Sequence, residues 1–326
     1  MATLLDQLRA SHAIDVDTLD LKAAAKYGPF VDCTSSQATA FAELSKLDSN
    51  GKPVYQQLIM ESIQTAHWMF SKQSDATLEE LAVESVIVNL SLKLAPHISG
   101  YFHIQINPLR AYSTAKTVKN AERIVSHFKL LSPGFDASRV CINVPSTWEG
   151  LQACRNLETK GVATMATTVF CVEQAALAAD AGCRYVDTNG AVLPAAAQRC
   201  LAARGTKRTQ IMAASLTSSD EIMQLARGQH VHHFVVPPPL LNELAAAPAK
   251  TDPEATPVAG TGANDVDETR LAAVLQDEAL WRTALTRSDG GKSETKQIEA
   301  LNMLCNMQDS LEEMVRKLNV TLLQTT

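Results

Sequence analysis

The stretch Arg139-Val-Cys-Ile-Asn-Val-Pro-Ser-Thr-Trp-Glu-Gly150 decides how this chain is read. It reads as a short buried strand, a turn at Pro145 and a helix start at Ser146 or Thr147, with the helix continuing through Leu151, Ala153, Cys154 and Leu157. Successive strand side chains point to opposite faces. Asn143 falls mid-strand, where a buried strand carries Val, Ile or Leu. An amide there either lines a cavity or hydrogen-bonds inside a core.

Working outward, strand and helix alternate in both directions. Strands are expected at 13–17, 29–34, 100–107, 139–144, 162–168, 184–187, 209–214 and 232–236, the last stopped by three prolines. Helices are expected at 2–10, 18–26, 38–47, 54–71, 78–94 (starting near Ser74 and Asp75), 114–130, 147–159, 171–181, 191–204 and 218–226. Two more, 268–286 and 294–320, close the chain. About eight such repeats with short loops argue a parallel α/β fold, and at this length a closed (β/α)8 barrel with additional helices is preferred. No Gly-rich turn follows the first strand, which counts against an open dinucleotide-binding sheet. One domain is expected over 1–326, with 246–267, rich in Ala, Pro, Thr and Gly, as a flexible surface loop within it.

The third strand is the most regular. Phe102, Ile104 and Ile106 take one face, and His103, Gln105 and Asn107 take the other. A wholly polar second face is unusual in a buried sheet. His103 is read either as a satisfied core histidine or as a proton shuttle.

Composition narrows the function classes. The 326 residues are 46% hydrophobic with a net charge of −6, which allows a sizeable core. No basic block interleaved with aromatics occurs, so a nucleic-acid partner is not expected. The apolar runs are too short to span a bilayer, and the N-terminus has no signal-peptide core. Seven scattered cysteines without a CxxC read as reduced thiols, placing the chain in the cytoplasm. Cys171 begins a helix, where a thiolate is favoured, although packing is the commoner role for such a residue. Gly290-Gly-Lys-Ser293 lacks the leading glycine and strand of a phosphate-binding loop and reads as a loop and cap. For His230-x-His232-His233 no nearby carboxylate or cysteine completes a metal set, so no metal is expected.

The opening stretch resembles the transaldolase family, whose fourth strand reads approximately R-[IV]-L-I-K-[IL]-A-[SA]-T-W-[EQ]-G. The likeness extends through Leu157-Glu-x-x-Gly161, Phe170-x-x-x-Gln174, Asp17-Thr18-x-Asp20, Asp32-x-Thr34, Met212-x-Ala-Ser215 and Pro237-x-x-Leu240-Leu-x-Glu-Leu244. The resemblance implies transfer of a three-carbon dihydroxyacetone unit between sugar phosphates. In that chemistry a lysine forms a Schiff base, carboxylates move protons and arginines hold phosphate.

The sequence departs from the family at those groups. The Schiff-base lysine position is Asn143, the glutamate position is Gln105 and the next inward aspartate is Asn107. Ser36 replaces the binding asparagine after the second strand, Met165 replaces the fifth-strand asparagine, and Val192 and Thr217 replace the two arginines. Asp17 and Thr167 remain, and Asp187 and Asn189 are new on the sixth strand. Asp17 is read either as catalytic or as the cap of the helix starting near Thr18.

The resemblance therefore implies a polar cavity. Asp17, Asp187, Asn143 and Gln105 are the catalytic candidates. His103, Asn107, Thr34, Ser36, Met165, Thr167, Asn189 and Ser215 are the substrate-binding candidates. The expected function is a lyase, isomerase or cyclase acting by acid–base catalysis on an unphosphorylated carbonyl or polyol metabolite in specialised biosynthesis. A noncatalytic metabolite- or partner-binding protein is the alternative, and an active transaldolase is the third reading. No metal or organic cofactor is indicated. The expected partner is a small-molecule substrate, and family relatives suggest a homodimer.

Overall fold

The computed structural model describes residues 2–72, 75–189, 193–206, 208–228, 230–249 and 268–325. Eight parallel strands close into a barrel in sequence order. They are β1 (Ala13–Asp17), β2 (Cys33–Ser35), β3 (Phe102–Gln105), β4 (Val140–Pro145), β5 (Ala163–Val169), β6 (Tyr185–Asn189), β7 (Gln210–Ala214) and β8 (His233–Val236). β1 pairs with β8 through Ile14 opposite Phe234, which closes the ring.

The alternation seen in the sequence sorts the apolar residues into two separate clusters. Val16, Phe102, Ile104, Ile142, Val144, Val186, Ile211 and Phe234 face outward and pack under the helices. Cys141, Ala163, Met165, Tyr185, Met212 and Val235 fill the barrel itself. A residue's parity on its strand thus decides which core it joins.

The Arg139–Gly150 stretch shows how the scaffold is tied. The Arg139 guanidinium donates to the Ile98 and Gly100 carbonyls at 2.6 and 2.9 Å and lies over Phe102 and Phe135. It pins the entry of β3 to that of β4, where charged donors are worth about 1.5–3 kcal/mol each. Thr147 caps the helix Trp148–Thr159 by accepting from the Gly150 N–H at 2.9 Å. A Cβ at Gly150 would overlap the Pro145 carbonyl, so the strand-to-helix turn requires glycine there. Trp148 is partly buried and packs against the buried Trp281, ring centroids 5.9 Å apart.

Several boundaries differ from expectation. The second strand shortens from 29–34 to Cys33–Ser35, because Phe30 makes only an isolated bridge to Ile98 and Pro29 has no N–H for a ladder. The three prolines that stop β8 also begin a helix not foreseen, Pro238–Ala246, since proline is compatible with a first helical turn. The helix expected over 268–286 is two, Glu268–Val274 and Glu278–Arg287, the second capped by Asp277. Lys292–Thr325 is the long closing helix, entered through Asp289, Gly290 and Gly291 at positive φ. Ser74, Val192 and residues 250–267 of the expected surface loop lie outside the described residues. No helix among the described residues is long and apolar enough to cross a membrane.

Candidate active site

A cavity of about 180 Å³ opens at the C-terminal ends of the strands. Barrel enzymes build their sites at this end. Ten of the twelve candidate residues line it. Asp17 and Thr34 come from β1 and β2, and Ser36 from the following turn. Gln105, Asn143, Met165 and Thr167 come from β3, β4 and β5, and Asp187 and Asn189 from β6, with Ser215 beyond β7. Register brings them together, with Asp17 opposite Thr34, Gln105 opposite Asn143 and Asn143 opposite Met165.

Two candidates are elsewhere. His103 is fully buried, and its Nε2 lies 2.9 Å from Asp32 Oδ2, one inward layer below the cavity. Its parity is inward as expected, but its height is wrong for ligand contact. Asn107 lies past the end of β3, where its side chain leaves the barrel. Its amide donates to Glu80 Oε1 at 3.1 Å, and its oxygen accepts from the Leu109 N–H at 3.0 Å.

The cavity wall is polar and incompletely hydrogen-bonded. The Gln105 amide donates to the Asn143 carbonyl at 3.2 Å, and the Asn143 amide reaches Thr34 Oγ1 at 3.5 Å. Asn143 Oδ1, Thr167 Oγ1 and Asp187 Oδ1 are buried with no hydrogen-bond partner. Buried polar atoms are almost always satisfied, so three such atoms on one cavity call for a polar occupant.

The two carboxyls are held toward their neutral forms. Burial, then the negative charge of Asp17, pushes Asp187 up to about 7. Burial also raises Asp17, against a hydrogen bond from Thr39 Oγ1 at 3.2 Å. Asp17 does not cap the next helix. Asp20 does, accepting from the Lys22 and Ala23 N–H groups. The Ser36 hydroxyl already caps Gln37–Leu44, accepting from the Thr39 N–H at 3.2 Å. Cys171 is buried, and its thiol is pushed up by burial, so the helix start creates no reactive thiolate.

Other features escaped the sequence. Thr168 and Ser215, at the ends of β5 and β7, both have φ of 55° and both line the cavity. Left-handed backbone at a β-branched residue is strained, and such strain collects at functional sites. The register shift between Ala166 and Val169 places Thr168 within a bulge. Ala300, Met303 and Leu304 of the closing helix form an apolar lid that no strand pattern announced. Among the described lining residues there is neither lysine nor arginine.

The expectation that His233 has no carboxylate near it is overturned. Its Nδ1 lies 2.8 Å from Asp15 Oδ2 and 4.0 Å from Asp32 Oδ2. These partners sit on β1 and β2, some two hundred positions away, out of reach of any local spacing rule.

The family model described as transaldolase/fructose-6-phosphate aldolase matches residues 14–302. A transaldolase of Nostoc sp. is 27% identical over 92% of this chain and 95% of its own length. One of Alteromonas mediterranea is 31% identical over 56% of this chain and 54% of its own. One of Trichormus variabilis is 27% identical over 92% of this chain and 95% of its own. Among solved structures, KGPDC from Streptococcus mutans aligns with a TM-score of 0.40 at 11% identity, covering 71% of this chain and 90% of that one.

Proposed function

The chain belongs to the transaldolase/fructose-6-phosphate aldolase family, and from that premise we propose a barrel enzyme that works without an imine. It moves protons on a small unphosphorylated carbonyl or polyol compound, as a lyase, isomerase or cyclase. One observation carries the reading: the cavity holds two carboxyls, amides and hydroxyls, with no lysine to form an imine and no arginine to grip phosphate among its described lining residues. An amide at Asn143 cannot condense with a carbonyl, because its nitrogen lone pair is delocalised. Such a retooled scaffold suits specialised biosynthesis.

The chemistry follows from the groups present. Asp187 in its ionised form takes a proton from the carbon beside the substrate carbonyl. The C–H electron pair moves into an enolate, and the new oxyanion accepts hydrogen bonds from the Thr167 hydroxyl and the Asn143 amide. The hydroxyl proton of the resulting enediolate passes to the former carbonyl oxygen while the abstracted proton is delivered to the former carbonyl carbon, giving an isomer, or the abstracted proton leaves as water with a hydroxyl expelled from the next carbon, giving elimination. Asp187, pushed up to about 7 by burial and by the neighbouring Asp17, exchanges protons in both directions near neutrality.

The test uses solvent exchange, which reads the proton step whatever the product is. Unphosphorylated ketoses, aldoses and polyols are incubated with the protein in deuterated water, and exchange beside the carbonyl is followed by NMR. Exchange is expected, and Asp187→Asn should slow it by about 10²–10⁴-fold. Equal exchange in that variant removes Asp187 from the mechanism. Ligand-dependent thermal shifts without exchange or turnover would leave a binding protein instead. Borohydride treatment with fructose 6-phosphate should trap no covalent adduct, and an adduct would restore transaldolase chemistry.

A further inference from the structure

Below the cavity floor lies a second cluster of polar side chains that the proposed reaction does not use. Asp15, Tyr185 and His233 each precede a cavity-lining residue by two positions, on β1, β6 and β8. They form the next inward layer, roughly 6–7 Å nearer the N-terminal end of the barrel. Asp32 and His103 join them. Asp15, Asp32 and His103 are almost fully shielded from solvent, and His233 is 6% exposed.

Asp15, Asp32 and His233 each offer one ligand atom, and these three atoms lie within 4.8 Å of one another, with His233 Nδ1 2.8 Å from Asp15 Oδ2 and 4.0 Å from Asp32 Oδ2. We propose that these three atoms form a binding site for a divalent transition-metal ion, inside the barrel and distinct from the cavity above it.

The carboxylates are held as metal-binding carboxylates are held. Asp15 Oδ1 accepts from the Asp32 N–H at 2.9 Å, and Asp32 Oδ1 accepts from the Tyr101 N–H at 2.6 Å. Each carboxylate therefore has one oxygen fixed to backbone and turns the other inward. Such outer hydrogen bonds orient metal ligands and tune them. The backbone has made room for the arrangement. A Cβ at position 100 would overlap Asp32 Oδ1, so Gly100 is what lets that carboxylate reach the Tyr101 N–H. Tyr185 stacks edge-on against both imidazoles, with ring centroids 5.1 Å from His103 and 5.1 Å from His233, and fixes their planes.

Two carboxylates and one imidazole held around a 2+ ion make a neutral cluster. The donor set of two oxygens and one imidazole suits zinc, cobalt, iron or manganese. It disfavours magnesium, which keeps several waters and binds poorly in a dry interior. Ligand distances of about 2.0–2.2 Å need only small side-chain shifts from the hydrogen-bonded positions. The N-terminal end of a barrel serves stability, so the ion is expected to brace β1, β2 and β8.

The full-length protein, stripped with chelator and desalted, is titrated with cobalt(II) and with zinc(II). One ion per chain is expected, with visible d–d absorption for cobalt and a rise in Tm for both metals. Asp15→Asn and His233→Gln should each weaken binding at least tenfold and abolish the cobalt spectrum. No saturable one-ion binding by the parent protein overturns the proposal, as does unchanged binding by either folded variant. Crystals soaked in zinc give a readout that needs no variant. An anomalous peak between Asp15, Asp32 and His233 is the expected result, and peaks only elsewhere overturn the site. These readouts are metal binding and position, so they stand whether or not the cavity above proves catalytic.

Discussion

At Asp187 the proposed base is also a liability for stability. Its Oδ1 is buried without a partner, and burial with the nearby Asp17 charge lifts its pKa from 3.8 to about 7. The folded chain therefore holds a proton that the unfolded chain releases. This contribution to stability is complete below about pH 4 and is lost as pH rises through about 7. The span corresponds to roughly 2–4 kcal/mol. Asp187→Asn should remove that slope, leaving the variant more stable than the parent at pH 8 and nearly equal to it at pH 4. Urea unfolding at both pH values checks this, and parallel curves would show that Asp187 titrates as an ordinary solvent-exposed acid. Turnover should move the other way, rising with pH through about 7 as the base form appears. At this scale the sequence was informative about direction and uninformative about depth. Alternation on the third strand put Gln105 on its polar face and the family resemblance put Asn143 and Asp187 on the same cavity, and all three line it. Neither could tell that His103 lies a layer too low, or that Asn107 leaves the barrel for Glu80.

Helices Leu78–Leu94 and Thr114–Leu131 are joined by charges rather than by apolar contact alone. Arg123 donates to Glu84 Oε1 at 2.6 Å, to Glu84 Oε2 at 2.8 Å and to Glu80 Oε1 at 3.0 Å. Asn120 adds a bond to Glu84 Oε1 at 2.6 Å, and Arg110 one to Glu80 Oε2 at 2.7 Å. Burial outweighs even the Arg123 guanidinium and pushes Glu84 up to about 7. Arg123→Ala should therefore cost about 3–5 kcal/mol, because it strands buried carboxylates. Adding Glu84→Gln should recover part of the loss, as should lowering the pH, which neutralises the stranded groups. Denaturant melts of the single and double variants decide it. A single-variant loss below about 1 kcal/mol would mean the network is effectively solvated. The alternation of the helices' apolar positions was plain in the sequence. The ion network was not, since its members lie on separate elements and only packing brings them together.

For the molecule as a whole, the barrel was legible because eight strand–helix repeats leave few ways to bury parallel strands on both faces. The long final helix was legible as an element, but its position was not. Lys292–Thr325 crosses the cavity mouth with Ala300, Met303 and Leu304 inward. Its first turns are tied to the rim by Gln297, which donates to the Ser146 carbonyl at 2.7 Å, and by Ser293, which donates to the Phe170 carbonyl at 3.2 Å. Ser146 follows β4 directly, so the same stretch that carries Asn143 also anchors the lid. A helix held to a barrel by a few polar ties and one apolar face can open at less cost than the barrel unfolds. Gln297→Ala removes one tie while the Ser146 carbonyl keeps its bond from Gln174 at 3.0 Å, so no acceptor is orphaned. The expected penalty is about 1 kcal/mol, confined to helix opening. Amide exchange should accelerate along the helix several-fold while the strands keep their protection, and a cavity ligand should reverse the effect. Equal acceleration in the strands would mean that helix and barrel open as one unit and that the cavity is reached by another route.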